Sequence, residues 1–185
     1  MSARGRYQLH RTVVLVGMMG SGKSAIGRAL AAELGVPFLD SDAAIEEAAA
    51  ASIAEIFDRD GEVFFRKREA EVLRRLLSGP PGVVSTGGGA FLAETNRAAI
   101  ADLGVAVWLD ADLDTLWERV RHKDTRPLLR TADPRATLAE IFAARTPIYR
   151  LAGLRVGVSG QASIAETTRS VIELLAARPD ILEVS

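Results

Sequence analysis

The 185-residue chain contains no cysteine, which excludes disulfides, thiolate zinc sites, iron–sulfur clusters and a thiol nucleophile, and is neutral about compartment. Its two histidines, His10 and His122, are too few and too far apart for a histidine-rich metal centre. No apolar stretch approaches the ~20 residues needed to span a bilayer. Excess charge is missing as well. The 23 basic and 24 acidic residues leave a net charge of −1, which offers no global field for nucleic acid or an acidic membrane. Lysine is scarce: Lys23, Lys67 and Lys123 stand against 20 arginines, so each use of lysine asks for a reason.

One stretch imitates a targeting signal. Arg4, Arg6 and Arg11 precede an apolar run, Val13 to Met19, but the run is short and enters Gly-Ser-Gly-Lys rather than a small-residue cleavage site. The expectation is a cytoplasmic protein with a short, flexible basic extension over 1–11, one domain over 12–178 and a tail over 179–185. At 48% apolar and 25% charged, the composition is that of a soluble globular domain.

Short apolar runs alternate with longer helical windows. Thr12–Val16, Pro37–Leu39, Val83–Ser85, Val105–Leu109 and Leu154–Val158 read as strands covered on both faces. Ser24–Leu34, ending at Gly35, Ala43–Ala50 and Glu62–Leu77, closed by Gly79-Pro80-Pro81-Gly82, read as helices. Ser52-x-x-Glu55 and Ser163-x-x-Glu166 read as capping boxes, and Asp133-Pro134 as a cap plus first-turn proline for a helix running toward Arg145. Strands alternating with helices predict a parallel α/β sheet with right-handed crossovers.

Gly17-Met18-Met19-Gly20-Ser21-Gly22-Lys23-Ser24 fits G-x-x-x-x-G-K-[ST], with a strand running in and a helix running out. Such a loop turns successive backbone N–H groups toward phosphates at a helix N-terminus. Lys23 can reach the β- and γ-phosphates, and Ser24 can hold Mg²⁺. The chain is too short for the added subdomains of most motors, and it has no Asn-Lys-x-Asp segment of the GTPase type. A small-metabolite kinase is the leading class.

Asp40 and Asp42 end the second strand, where open α/β sheets bind ligands, and residues two apart on an extended segment point the same way. One could support the metal and the other orient an acceptor hydroxyl; equally, Asp42 could merely cap the next helix. Gly87-Gly88-Gly89 follow the third strand, either as a plain turn or as backbone left open to a substrate. Arg66, Arg119, Arg126 and Arg145 sit in motif-like surroundings, and arginine grips carboxylate or phosphate bidentately. The basic segment Arg119–Arg130 suits a lid, about 119–131, over the phosphates of ATP.

The ordered set Gly17–Ser24, Phe38-x-Asp40-x-Asp42, Ser52-Ile53-x-Glu55-Ile56-Phe57, Gly61-Glu62-x-x-Phe65-Arg66-x-x-Glu69, Ser85–Gly89, Arg126-Pro127-Leu128-Leu129 and Arg145-x-Pro147-x-Tyr149 resembles shikimate kinase over about Val13 to Leu175. The resemblance implies a single-domain P-loop kinase fold like that of nucleoside monophosphate kinases, with a five-stranded parallel sheet of order 2-3-1-4-5. It implies ATP-dependent phosphorylation of the 3-hydroxyl of shikimate, with Mg²⁺, in a monomer that binds neither nucleic acid nor membrane. Gly17, Gly20, Ser21, Gly22, Lys23, Ser24 and Ala25 would hold the ATP phosphates, Arg126 would meet them from the lid, and Arg119 and Gln161 would lie near adenine. Ser24 would ligate Mg²⁺, with Asp40 supporting it through water. Asp42 would orient the attacking hydroxyl, Arg66 and Arg145 would hold the carboxylate, and Gly87, Gly88 and Gly89 would line the ring. Ala25, where many relatives carry Thr, and Ala50, where glycine is common, depart from the pattern. The rivals are another small-metabolite P-loop kinase, such as a gluconate kinase, and a non-catalytic ATP- or ligand-sensing module. The first would need a different acceptor segment after the second strand; the second would ordinarily need an attached effector domain.

Overall fold

In the computed structural model, which describes residues 5–122 and 129–185, the apolar runs named above become one parallel sheet. Its strands are β2 (Thr12–Val16), β3 (Phe38–Asp40), β4 (Val83–Ser85), β5 (Gly104–Ala111) and β6 (Leu154–Val158), in the order β3-β4-β2-β5-β6. Counted without the additional strand β1 (Tyr7–Leu9), this is the expected order 2-3-1-4-5. β2 is central and pairs with both β4 and β5, which is why Val13 to Val16 are wholly buried and show no polar alternation. β3 starts one residue later than expected because Pro37 has no N–H for the ladder; its carbonyl accepts instead from the N–H of Val83 at 2.9 Å. β5 extends past the expected Val105–Leu109 at both ends.

The helices are α1 (Lys23–Leu34), α2 (Ser41–Ala49), α3 (Ile53–Leu77), α4 (Glu94–Leu103), α5 (Leu113–Val120), α6 (Pro134–Tyr149) and α7 (Ile164–Ala176). Both capping boxes form. The N–H of Glu55 donates to Ser52 Oγ and that of Glu166 to Ser163 Oγ, each at 3.1 Å, and each glutamate reaches back to the cap backbone. Asp133 caps α6, which continues past Arg145 through Pro147 to Tyr149.

Two expectations change. Glu62–Leu77 is only the second arm of α3, which begins at Ile53 and breaks at Gly61 (φ 84°, ψ 172°), a conformation reserved for glycine. The break folds the arms together: Phe57 and Phe65 have ring centroids 4.7 Å apart, whereas eight residues of straight helix would separate them by about 12 Å. With Ile45, Ile56 and Val72, Phe65 forms a second apolar cluster beside the main core. Residues 5–11 of the expected extension and the tail over 179–185 also depart from expectation, while residues 1–4 lie outside the described residues. Tyr7–Leu9 pairs antiparallel with β7 (Leu182–Val184), and Arg11 donates to the carbonyls of Ala101, Asp102 and Gly104, satisfying acceptors that α4 leaves open at its C-terminus. Among the described residues no helix is long and apolar enough to cross a membrane.

Candidate active site

The phosphate loop runs from β2 into α1, and its glycines are required by its path. Gly17, Gly20 and Gly22 have φ of 147°, 83° and 96°, so L side chains there would be strained. At Gly17 and Gly20 an added Cβ would also stand 2.8 Å from Leu109 O and from Val120 Cγ1. The Lys23 ammonium donates to the carbonyls of Gly17 and Met18 at 2.7 and 3.0 Å, which holds it on the loop it serves. Ser21 is buried, and its hydroxyl finds no hydrogen-bond partner among the described residues. Ser24 Oγ lies 3.4 Å from Ser85 Oγ, so the start of α1 meets the end of β4.

A cleft of about 700 Å³ opens over this loop. Gly20, Ser21, Gly22, Lys23, Ser24 and Ala25 line one side, while Asp40, Asp42, Gly87 and Gly88 line another. Asp40, not Asp42, is the helix cap: its Oδ1 accepts the Ala43 N–H at 3.1 Å. That leaves Asp42 in the first turn of α2, facing the cleft. Burial, followed by the neighbouring carboxylates of Asp40 and Glu69, pushes the Asp42 carboxyl up to about 6, with Lys23 opposing the shift.

The glycine triplet is explained by what comes to meet it. A Cβ on Gly87 would lie 2.5 Å from Asp42 Oδ1, one on Gly88 2.9 Å from Arg145 Nη1, and one on Gly89 2.6 Å from both terminal nitrogens of Arg66. Consecutive glycines therefore make room for three charged side chains from α2, α6 and α3. Arg66 is held by Glu69, one turn on in α3 and almost wholly buried, with Nη1 donating to Oε1 at 2.9 Å. Burial raises the Glu69 carboxyl, and Arg66 works against that rise. Arg145 and Tyr149 lie one turn apart on α6, and the Tyr149 hydroxyl donates to the Gly88 carbonyl at 2.7 Å.

On the remaining side of the cleft, Arg119 in α5 donates to the carbonyl of Gly20 at 3.0 Å. Gln161 is exposed and does not line the cleft, although the adjoining Ala162 and Ser163 do. Arg126 lies outside the described residues, as does the whole middle of the expected lid, 123–128. Sequence reasoning assigned no part to Arg28, Ile164 or Thr167, which also line the cleft. Thr167 carried a usable signal, since it stands one turn past the Ser163 cap on the first turns of α7.

Among the described residues no group of three or more His, Asp and Glu could cage a metal. The oxygen donors present, Ser24 with Asp40 and Asp42 in the same cleft, suit a hard cation that takes most of its ligands from phosphate and water, which is the habit of magnesium.

The sequence pattern of the family described as shikimate kinase matches residues 19–176, most of the chain and every element of the cleft. The chain belongs to the shikimate kinase family. Shikimate kinases from Ruegeria pomeroyi and Cereibacter sphaeroides are 64% and 60% identical to it, covering 98% and 95% of this chain and 93% and 88% of theirs. A solved shikimate kinase from Acinetobacter baumannii, in complex with shikimate, superposes with a TM-score of 0.84 at 36% identity, covering 90% of this chain and 93% of that one. Identity of this order extends over nearly the whole chain, not over the phosphate loop alone.

Proposed function

We propose that this chain transfers the γ-phosphoryl group of ATP to the 3-hydroxyl of shikimate, giving shikimate 3-phosphate and ADP. The observation that carries the reading is the contact of Gly87, Gly88 and Gly89 with Asp42, Arg145 and Arg66 in turn. It sets one carboxylate and two guanidiniums around a single spot beside the phosphate loop. A hydroxy acid needs those two kinds of group: cations for its carboxylate and an acceptor for the proton of its attacking hydroxyl.

In the reaction, Arg66 and Arg145 hold the acceptor carboxylate, and Asp42 accepts a hydrogen bond from the hydroxyl. As the new oxygen–phosphorus bond forms, the bond from phosphorus to the β–γ bridging oxygen breaks, ADP leaves with that electron pair, and the hydroxyl proton passes to Asp42. The loop amides and Lys23 stabilise charge on the phosphates. Because such transition states are loose, positioning and charge matter more than the strength of the base. Magnesium, when bound with the nucleotide, supplies charge neutralisation; Ser24 would ligate it and Asp40 would support it through water. One chain provides the loop, the clamp and the carboxylate, which supports a monomer as the working unit. Phosphorus-31 NMR of protein, Mg²⁺, ATP and shikimate should show a phosphomonoester resonance growing with ADP. ADP accompanied only by inorganic phosphate would reject the assignment.

A further inference from the structure

Tyr149 ends α6 and is wholly buried, with its ring between Phe91 (centroids 6.5 Å apart, 19° between planes) and Trp108 (6.3 Å, 27°). Packing alone would accept phenylalanine there. What tyrosine adds is a hydroxyl that must be partnered in such surroundings, and its partner is the carbonyl of Gly88, 2.7 Å away. Gly88 is the middle residue of the triplet, and its Cα side is the one pressed by Arg145, 2.9 Å from where a Cβ would stand. Arg145 and Tyr149 are one helical turn apart, so a single face of α6 meets Gly88 twice, the guanidinium by close approach and the phenol by a hydrogen bond.

The turn between them is short of its own bonds. Pro147 lies inside α6 and has no N–H to donate back along the helix. That removes the usual donor to the Ala143 carbonyl, and one residue earlier the Thr146 hydroxyl donates to the Phe142 carbonyl at 2.6 Å, a side-chain bond that tends to bend helices. The segment carrying Arg145 therefore depends on outside contacts for its placement. The hydroxyl also stays a donor: burial raises the Tyr149 phenol above its ordinary value, with Arg145 opposing, so it is protonated at neutral pH.

We infer that Tyr149 is a positioning residue for the acceptor: its hydroxyl anchors the Gly88 carbonyl to the last turn of α6, fixing the spacing between the Arg145 guanidinium and the backbone of Gly87–Gly89. The inference rests on the proposed function in taking the acceptor carboxylate as the ligand of Arg145. Tyr149 touches no reacting atom and acts through its neighbours.

The test is Tyr149→Phe, which keeps the ring. The KM for shikimate should rise about 5- to 10-fold, the scale of one hydrogen bond, while the KM for ATP stays unmoved. Combined with Arg145→Ala, the loss in shikimate affinity should fall short of the product of the single losses, because both changes release the same contact. An unchanged KM for shikimate, an additive double variant, or parallel losses for both substrates tracking a lower melting temperature would each overturn the role. A second readout needs no substrate: in the free protein, the Gly88 carbonyl carbon-13 resonance should move upfield in Tyr149→Phe, and an unmoved resonance overturns the anchor. Failure of the proposed function looks different, since wild-type protein would then release no ADP with shikimate while the Gly88 resonance still reports on the anchor.

Discussion

Asp42 carries its charge in surroundings that resist it. The carboxyl is drawn into the cleft beside Asp40, Glu69 and Glu46, with Lys23 the cation that opposes them, and it sits near 6 instead of 3.8. Under the proposed function the placement would serve proton acceptance, because a carboxyl closer to the working pH is a better match for a hydroxyl. It also costs stability. Between about pH 3.8 and 6 Asp42 holds in the native state a proton that it has released in the unfolded chain, so its contribution to stability falls as pH rises through that window and is level above it. Asp42→Asn should therefore lower turnover about 10²-fold or more while raising stability at neutral pH by ~3 kcal/mol. Melting temperatures measured from pH 4 to 8 should show the variant's advantage growing up to about pH 6 and then holding constant. A variant with near wild-type turnover, or a stability gain that shrinks as pH rises, would contradict this account of Asp42. The residues at this scale were only partly legible. The pairing of Asp40 and Asp42 stood in the sequence, but which of them caps α2 depended on the chain's turn after β3. The glycine triplet was visible too, yet its reason was not, since the side chains that need the room arrive from three separate helices.

At the scale of elements, α2 and α3 form the acceptor side around their own apolar cluster, and two left-handed positions shape it. Ala50 closes α2 with φ 50°, the one non-glycine residue at positive φ among the described residues, which explains why glycine suits that place. Gly61 breaks α3 so that Phe57 meets Phe65, one residue before Arg66. Glycine should thus be the better residue at both sites. Ala50→Gly should stabilise by about 0.5–1 kcal/mol, whereas Gly61→Ala should destabilise by about 1–3 kcal/mol, although no atom lies within 4 Å of the added methyl. Urea unfolding of both variants checks this; equal effects, or a neutral Gly61→Ala, would count against it. Local signals served well here. Ser52 with Glu55, Ser163 with Glu166 and Asp133 with Pro134 each start a helix where expected, because a cap is decided within four residues. The kink escaped notice because one glycine inside a helical run also reads as a tolerated glycine.

For the whole molecule, the alternating pattern sufficed for a parallel sheet with its helices, while the strand order was implied only by the resemblance to shikimate kinase. The ribbon of β1 and β7 was illegible. Its strands are three residues each, a third polar, and meet only when the two ends of the chain come together. Through Arg11 and this ribbon the ends are tied to α4 and β5, so the sheet that carries the phosphate loop is braced from its N-terminal edge. On that scaffold α1 brings Lys23 and Ser24, α2 brings Asp42, α3 brings Arg66 and α6 brings Arg145, and under the proposed function these together would select the acceptor. The most direct measurement is steady-state ADP release by the wild-type protein with shikimate, gluconate and nucleoside monophosphates offered separately. Turnover with shikimate at least a hundredfold more efficient in kcat/KM than with any other acceptor is the predicted result, on the order expected when a site's paired polar groups are matched or left unmatched. Comparable or greater efficiency with gluconate or a nucleotide would contradict it.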